Sequence, residues 1–158
     1  MKMVSMQLRE TPAPEFIAEL MEDGAKHLRP TTAAKIIKRL AQQTPDRESA
    51  WLLIIDGSGR LIGTHLISVG TEDRCDAAPK EIFRAAIIAG GSRIVYGHYH
   101  PNVGLDPSRA DERNYEAIKE AGEILDVKVL DSIIVSREEH GAYSIGAAEE
   151  YAVDVPNE

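Results

Sequence analysis

Residues 50–69 read AWLLIIDGSGRLIGTHLISV. Residues 50–55 form an unbroken apolar and aromatic run, the pattern of a buried strand. Asp56-Gly57-Ser58-Gly59 then supplies the positive φ angles that a hairpin needs, and residues 60–69 return as a second strand. Two strands joined in this way are antiparallel. The rest of the chain interleaves helices with strands, so the sheet is mixed rather than wholly parallel. The expected class is α/β, a mixed β-sheet flanked by helices in two or three layers.

On the N-terminal side of the hairpin, residues 14–28 carry Phe16, Ile17, Leu20 and Met21 at the spacing of one helical face, with Gly24 weakening the end. After Pro30, the Thr31-Thr32 pair offers an N-cap for a helix over residues 33–40, with Ile36, Ile37 and Leu40 on one side. Thr44-Pro45-Asp46 breaks it. On the C-terminal side, a polar loop over residues 70–78 leads to Pro79, well suited to the first turn of a helix bearing Ile82, Ala85, Ala86 and Ala89. Gly90-Gly91 closes that helix, and residues 92–97 form a strand that delivers the chain into His98-Tyr99-His100-Pro101. A helix resumes at Ser108 with Tyr115, Ile118, Ala121, Ile124 and Leu125 as its apolar stripe. Residues 127–136 are a strand that pairs with residues 142–145 through the turn at Glu139-His140-Gly141. From Glu149 the expectation is an acidic, frayed tail.

Composition bounds the function. The chain has 158 residues with 18 Lys plus Arg against 26 Asp plus Glu, a formal charge of −8. At 43% hydrophobic and 28% charged residues it is a globular sequence, neither disordered nor collagen-like. A domain of this size buries enough surface to fold without a disulfide or a structural metal, so a metal here serves chemistry. The single cysteine, Cys75, excludes an intramolecular disulfide and any C-x-x-C motif, and fits a reducing, cytoplasmic setting. The first residues, MKMVSMQLRE, contain no apolar signal region, and the longest apolar runs are too short to span a bilayer. A soluble, non-exported protein without membrane contact is expected. The excess of carboxylates disfavours a broad grip on nucleic acid.

The chemistry concentrates in His98-x-His100, seven further residues, Ser108, two more, then Asp111. Residues two apart in extended chain point to the same side, so both imidazoles face one point near the end of their strand. Ser108 and Asp111 share one face of the first helical turn, which is also the spacing of a capping box. Two imidazoles and one carboxylate make the three-protein-ligand set of a catalytic zinc site. His98, His100 and Asp111 are therefore the candidate ligands of Zn2+.

His98-x-His100-x7-Ser108-x2-Asp111 resembles the JAMM signature of the MPN-plus (JAB) metalloproteases, a group that contains deubiquitinating isopeptidases. The likeness is greater to its RadC-like branch. It covers residues 31–151, through Glu48 to Asp56, Arg60-Leu61-Ile62, Gly70-Thr71, Pro79 to Ala86, the HYHP segment, Asp106-Pro107-Ser108-Arg109-x-Asp111 and Leu130 to Val135. The resemblance implies a cytidine-deaminase-like α-β-α sandwich over residues 31–151, with residues 1–30 as a helical extension and 152–158 as an acidic tail. That branch usually reads H-N-H-P-S-G where this chain has HYHPNV. Tyr99, Asn102 and Val103 thus reshape the rim without touching a ligand, and Tyr99 and Asn102 are the expected substrate contacts. The helix-hairpin-helix module of longer RadC-like proteins does not fit into residues 1–30.

A JAMM site also uses an upstream acidic residue as general base, and Glu48, eight residues before Asp56 at the entry to the first long strand, occupies the matching place. Glu81, the competing carboxylate, sits where it would stabilise a helix N-terminus. The resemblance implies amide, peptide or isopeptide hydrolysis, with Glu48 moving the proton and Ser108 donating to the oxyanion. The expected partners are a protein or peptide substrate, ubiquitin-like conjugates among them, and a second copy in a homo-oligomer. Two alternatives stand beside the enzyme: a RadC-like nucleic-acid-associated factor and a non-catalytic MPN binding module. The charge argues against the first and the complete His, His, Asp set against the second. A zinc deaminase is excluded because it needs a P-C-x-x-C pair. His27, His65 and His140 read as surface or hydrogen-bonded histidines, Trp51 as core, and Lys35, Lys38 and Arg39 as a solvated helix face.

Overall fold

The computed structural model describes residues 11–21, 28–70, 77–102, 104–137 and 140–153. Its elements follow in the order α1 (Glu15–Met21), α2 (Pro30–Ala41), β1 (Ser49–Ile55), β2 (Leu61–Val69), α3 (Pro79–Ile88), β3 (Arg93–His100), α4 (Arg109–Leu125), β4 (Lys128–Ser136), β5 (Gly141–Ser144) and β6 (Glu149–Ala152). The strands form one sheet in the order β2-β1-β3-β4-β5-β6. β1 runs antiparallel to both β2 and β3, β3 and β4 are parallel, and β4, β5 and β6 are antiparallel in turn. The class is the mixed α/β expected from the hairpin. In that hairpin the Asp56 carboxylate accepts from the Ser58 N–H at 2.9 Å and the Arg60 N–H at 3.0 Å, and Gly59 takes φ +89°.

β1 is buried at all seven positions because helices cover both sides of it. Trp51, Leu53 and Ile55 pack with Ile36, Ile37 and Leu40 of α2. Leu52 and Ile54 pack on the other face with Ile82 and Phe83 of α3 and Ile118 of α4. An unbroken apolar run is what a doubly covered strand requires, and each such side chain taken fully from water contributes roughly 1.5–3 kcal/mol. The result is an α-β-α sandwich, with α1 held to the α2 side through the buried Ile17. A Cβ on Gly97 would lie 2.6–2.8 Å from the Ile37 side chain, so glycine is what lets α2 sit closely over β3 one residue ahead of His98.

Four local expectations change. α2 begins at Pro30 with Arg29 as N-cap and no side-chain cap, so Thr31 and Thr32 lie inside the first turn; proline's fixed φ and missing N–H suit that first position. β3 continues through His100, because β4 pairs with residues 98–100 on one side and β1 with His98 and Tyr99 on the other. Ile124 of α4 is 84% exposed, and Leu125 is exposed as well. The buried stripe runs Tyr115, Ile118, Gly122, from which Ile124 is turned by about 200°. Glu149 starts β6 rather than a frayed tail: Tyr151 donates its hydroxyl to the Pro30 carbonyl at 3.3 Å, and Val153 is fully buried. Gly24, His27, Cys75, Val103 and Glu139 lie outside the described residues. Among the described residues no helix is long and apolar enough to cross a membrane.

Candidate metal centre

β3 ends where α4 begins and where β1 starts, and this junction gathers the reactive side chains. Alternation along β3 puts His98 and His100 on the α3/α4 face of the sheet and Tyr99 on the α2 face. The β1–β3 register pairs Ala50 with His98 and Ser49 with Tyr99. One step further, Glu48 falls opposite His100 on the same face as both histidines. Asp111 arrives from the first turn of α4, whose start is fixed by a capping box: Ser108 Oγ accepts from the Asp111 N–H, and the Asp111 carboxylate accepts from the Ser108 N–H.

Glu48, His98, His100 and Asp111 form one cluster, in which Asp111 is half-buried. Glu48, His98 and His100 are each less than 9% exposed. His98 Nδ1 meets Asp111 Oδ1 at 2.8 Å, and His98 Nε2 lies 3.5 Å from Glu48 Oε2. His100 Nε2 lies 3.9 Å from Asp111 Oδ2, while His100 Nδ1 approaches the Gly104 carbonyl at 3.2 Å. The two imidazole rings stand edge to face with centroids 4.6 Å apart. Donor atoms of Glu48, His98 and His100 all fall within 4.8 Å of one another, so these three can hold a divalent metal ion. Ligands around a tetrahedral zinc lie about 3.3 Å apart, close to the Glu48–His98 separation. His98 Nε2 is buried without a hydrogen-bond partner, the condition of a nitrogen made for a ligand rather than for the protein.

The charges agree. Burial opposes a charge on His98, but the bond to Asp111 and the nearness of Glu48 outweigh it and raise its pKa from 6.5 to about 9. Metal-free, the cluster thus keeps a proton where a cation would sit. Burial, followed by the neighbouring His98, pushes His100 down, so its nitrogen lone pair stays available. For Asp111 burial raises the pKa, but hydrogen bonds from His98 and Ser108 prevail and hold it below the ordinary carboxylate range.

The sequence candidates are distributed as follows. Glu48, His98, His100, Asp111 and Ser108 come together. Asp111 stands outside the convergent donor set: one oxygen takes the His98 Nδ1 contact and the other accepts from Ser108 N–H at 2.8 Å and Ser108 Oγ–H at 2.6 Å. A carboxylate on the far nitrogen of a metal-binding imidazole fixes its tautomer and orientation. The Ser108 proton is thereby committed to Asp111. Asn102 is exposed. Tyr99 is not at the rim. It is 4% exposed among the α2-side core, and its hydroxyl donates to the Pro45 carbonyl at 2.9 Å. Strand alternation sends it away from its histidine neighbours, so it does not contact a substrate at the cluster. The Gly104 carbonyl, which orients His100, is the site member that sequence reasoning missed; only its place in a glycine- and proline-punctuated loop hinted at a close backbone approach.

Residues 28–151 match the family model described as a RadC-like JAB domain. The chain belongs to the RadC-like JAB family. Among the curated relatives, a UPF0758 protein of Thermosynechococcus vestitus is 38% identical over 103 residues, covering 65% of this chain and 40% of that protein. One from Thermotoga maritima is 39% identical over 92 residues, 58% of this chain and 41% of its own length. A third, from Trichodesmium erythraeum, is 34% identical over 114 residues, 72% of this chain and 46% of its own. This RadC-like JAB chain therefore spans less than half the length of these relatives.

Proposed function

We propose that this RadC-like JAB domain is a zinc-dependent hydrolase that cleaves an amide, peptide or isopeptide bond. The observation that carries the reading is the buried, unpartnered His98 Nε2 facing the Glu48 carboxylate beside a neutral His100. Zinc suits mixed imidazole and carboxylate donors, whereas magnesium and calcium favour oxygen-only sites. His98, His100 and Asp111 would hold the ion, Asp111 exchanging one of its present hydrogen bonds for it. Bound there, zinc lowers the pKa of a water and polarises a carbonyl.

The protein's own groups do the rest. Glu48, held within reach of His98 Nε2, accepts the proton of the attacking water and returns it to the leaving amine. Gly104 and Asp111 keep the two imidazoles in orientation. Ser108 donates to the oxyanion, for which its hydroxyl must turn from Asp111. Exposed Asn102 contacts the substrate at the rim. The proposed substrates are proteins or peptides, with ubiquitin-like conjugates as the class to try first, and the lone cysteine favours a cytoplasmic setting.

Elemental analysis of protein prepared without added metal, beside His100→Ala, tests the centre. A stoichiometric zinc content that falls away in the variant is expected; full occupancy in His100→Ala sinks the ligand set. The activity is tested by incubating zinc-loaded protein with ubiquitin-like conjugates and peptides, with Glu48→Gln as control. Failure to cleave any of them counts against a hydrolase.

A further inference from the structure

Tyr99, between the two histidines, reaches from the opposite face of the sheet to the turn that leads into Glu48. Its hydroxyl donates to the Pro45 carbonyl at 2.9 Å. Arg137, just past β4, donates from its guanidinium to the same carbonyl and to the Asp46 carboxylate. The backbone N–H of Arg137 donates in turn to the His100 carbonyl at 3.3 Å. Pro45 lies three residues before Glu48, in a turn whose own backbone bonds include Thr44 N–H to Ala41 at 3.0 Å and Arg47 N–H to Thr44 at 3.1 Å. On the far side of Glu48, the Gly70 N–H donates to the Glu48 carbonyl at 2.9 Å. Glu48 is thus bracketed by a clasp on Pro45 and by a tie to the loop after β2.

We infer that Tyr99 and Arg137 are positioning residues for Glu48. β3 places two imidazoles on one face and, through Tyr99 on the other, fixes the turn that sets the height of Glu48 against them. The backbone that carries the histidines therefore also registers the carboxylate. Such registration matters because displacement of a reacting group by about 1 Å can cost ~10²-fold in rate. The inference deepens the reading of Glu48 as the base and rests on it for its effect on turnover. Its structural half stands on the hydrogen bonds alone.

The test uses Tyr99→Phe, which keeps the buried ring and removes only the hydroxyl, and Arg137→Ala at an exposed position, with Arg137→Lys as the conservative replacement. In metal-free protein, amide hydrogen exchange at Arg47 and Gly70 should quicken about fivefold in each of the first two variants, equivalent to ~1 kcal/mol at 1.4 kcal/mol per tenfold. Exchange at Ile118 in α4 should not change, and Arg137→Lys should recover most of the protection. In zinc-loaded protein the same two variants should lower kcat with KM unchanged. Unaltered exchange at Arg47 and Gly70 in both variants, or equal acceleration at Ile118, overturns the inference. A wild-type protein that hydrolyses nothing removes the reading of Glu48 as base, while the exchange measurement still decides the clasp.

Discussion

His98 Nδ1 and Asp111 Oδ1 lie 2.8 Å apart, so a strand residue and a residue of the following helix hold each other across the loop that joins them. The contact occupies Nδ1 and leaves Nε2 to face Glu48. It also joins the centre to the start of α4, because the other Asp111 oxygen belongs to the Ser108 cap.

Asp111→Asn should therefore weaken zinc binding strongly. A lost orienting partner alone costs about 10–100-fold in affinity, and a lost ligand costs more. Competition against a chelator of known affinity measures it, and affinity within twofold of wild type would remove Asp111 from the centre.

Glu48→Gln separates the two carboxylates. As the proton carrier, Glu48 should be dispensable for zinc retention, while its loss lowers turnover by about 10²–10⁴-fold. If zinc is lost together with activity, Glu48 is a ligand rather than the base, which the convergence of its oxygens with His98 and His100 makes a sharp alternative.

Ser108→Ala removes a helix cap and should cost about 1 kcal/mol of stability in metal-free protein, read from denaturant midpoints. If Ser108 also serves the oxyanion, kcat falls by a further ~10²–10³-fold with KM preserved. A stability loss without that change in kcat confines Ser108 to capping and to holding Asp111.

The metal-free protein should lose stability in alkali. With the His98 pKa raised from 6.5 to about 9 on folding, the folded state binds the extra proton between those values. The stabilisation is fully present below pH 6.5 and is lost as pH rises through about 9. Unfolding midpoints from pH 6 to 10, compared with those of His98→Gln, should converge at the alkaline end. Zinc uptake at pH 8 should likewise release a proton, measurable by calorimetry in buffers of different ionisation enthalpy.

Gly97→Ala places a methyl against Ile37 and should destabilise by about 1–3 kcal/mol, as overpacking of a close-packed core does. A midpoint equal to wild type would mean that α2 and β3 separate freely there.

The mixed sheet, the burial of the first strand and the shared side of His98 and His100 were legible in the residues alone. Each follows from local rules: a hairpin forces antiparallel neighbours, an unbroken apolar run asks for cover on both faces, and residues two apart share a side. Tertiary structure decided what those rules do not reach. Pairing with β4 drew β3 through His100, and pairing with β5 made a strand of residues that read as an acidic tail. The path of the chain in three dimensions brought the Gly104 carbonyl to His100 and Pro45 to Tyr99. Tyr99 shows the reason most clearly. Its neighbours in sequence suggest the rim of a site, but alternation along a strand turns it to the opposite face, and only the packing of the turn before β1 determines what it meets there.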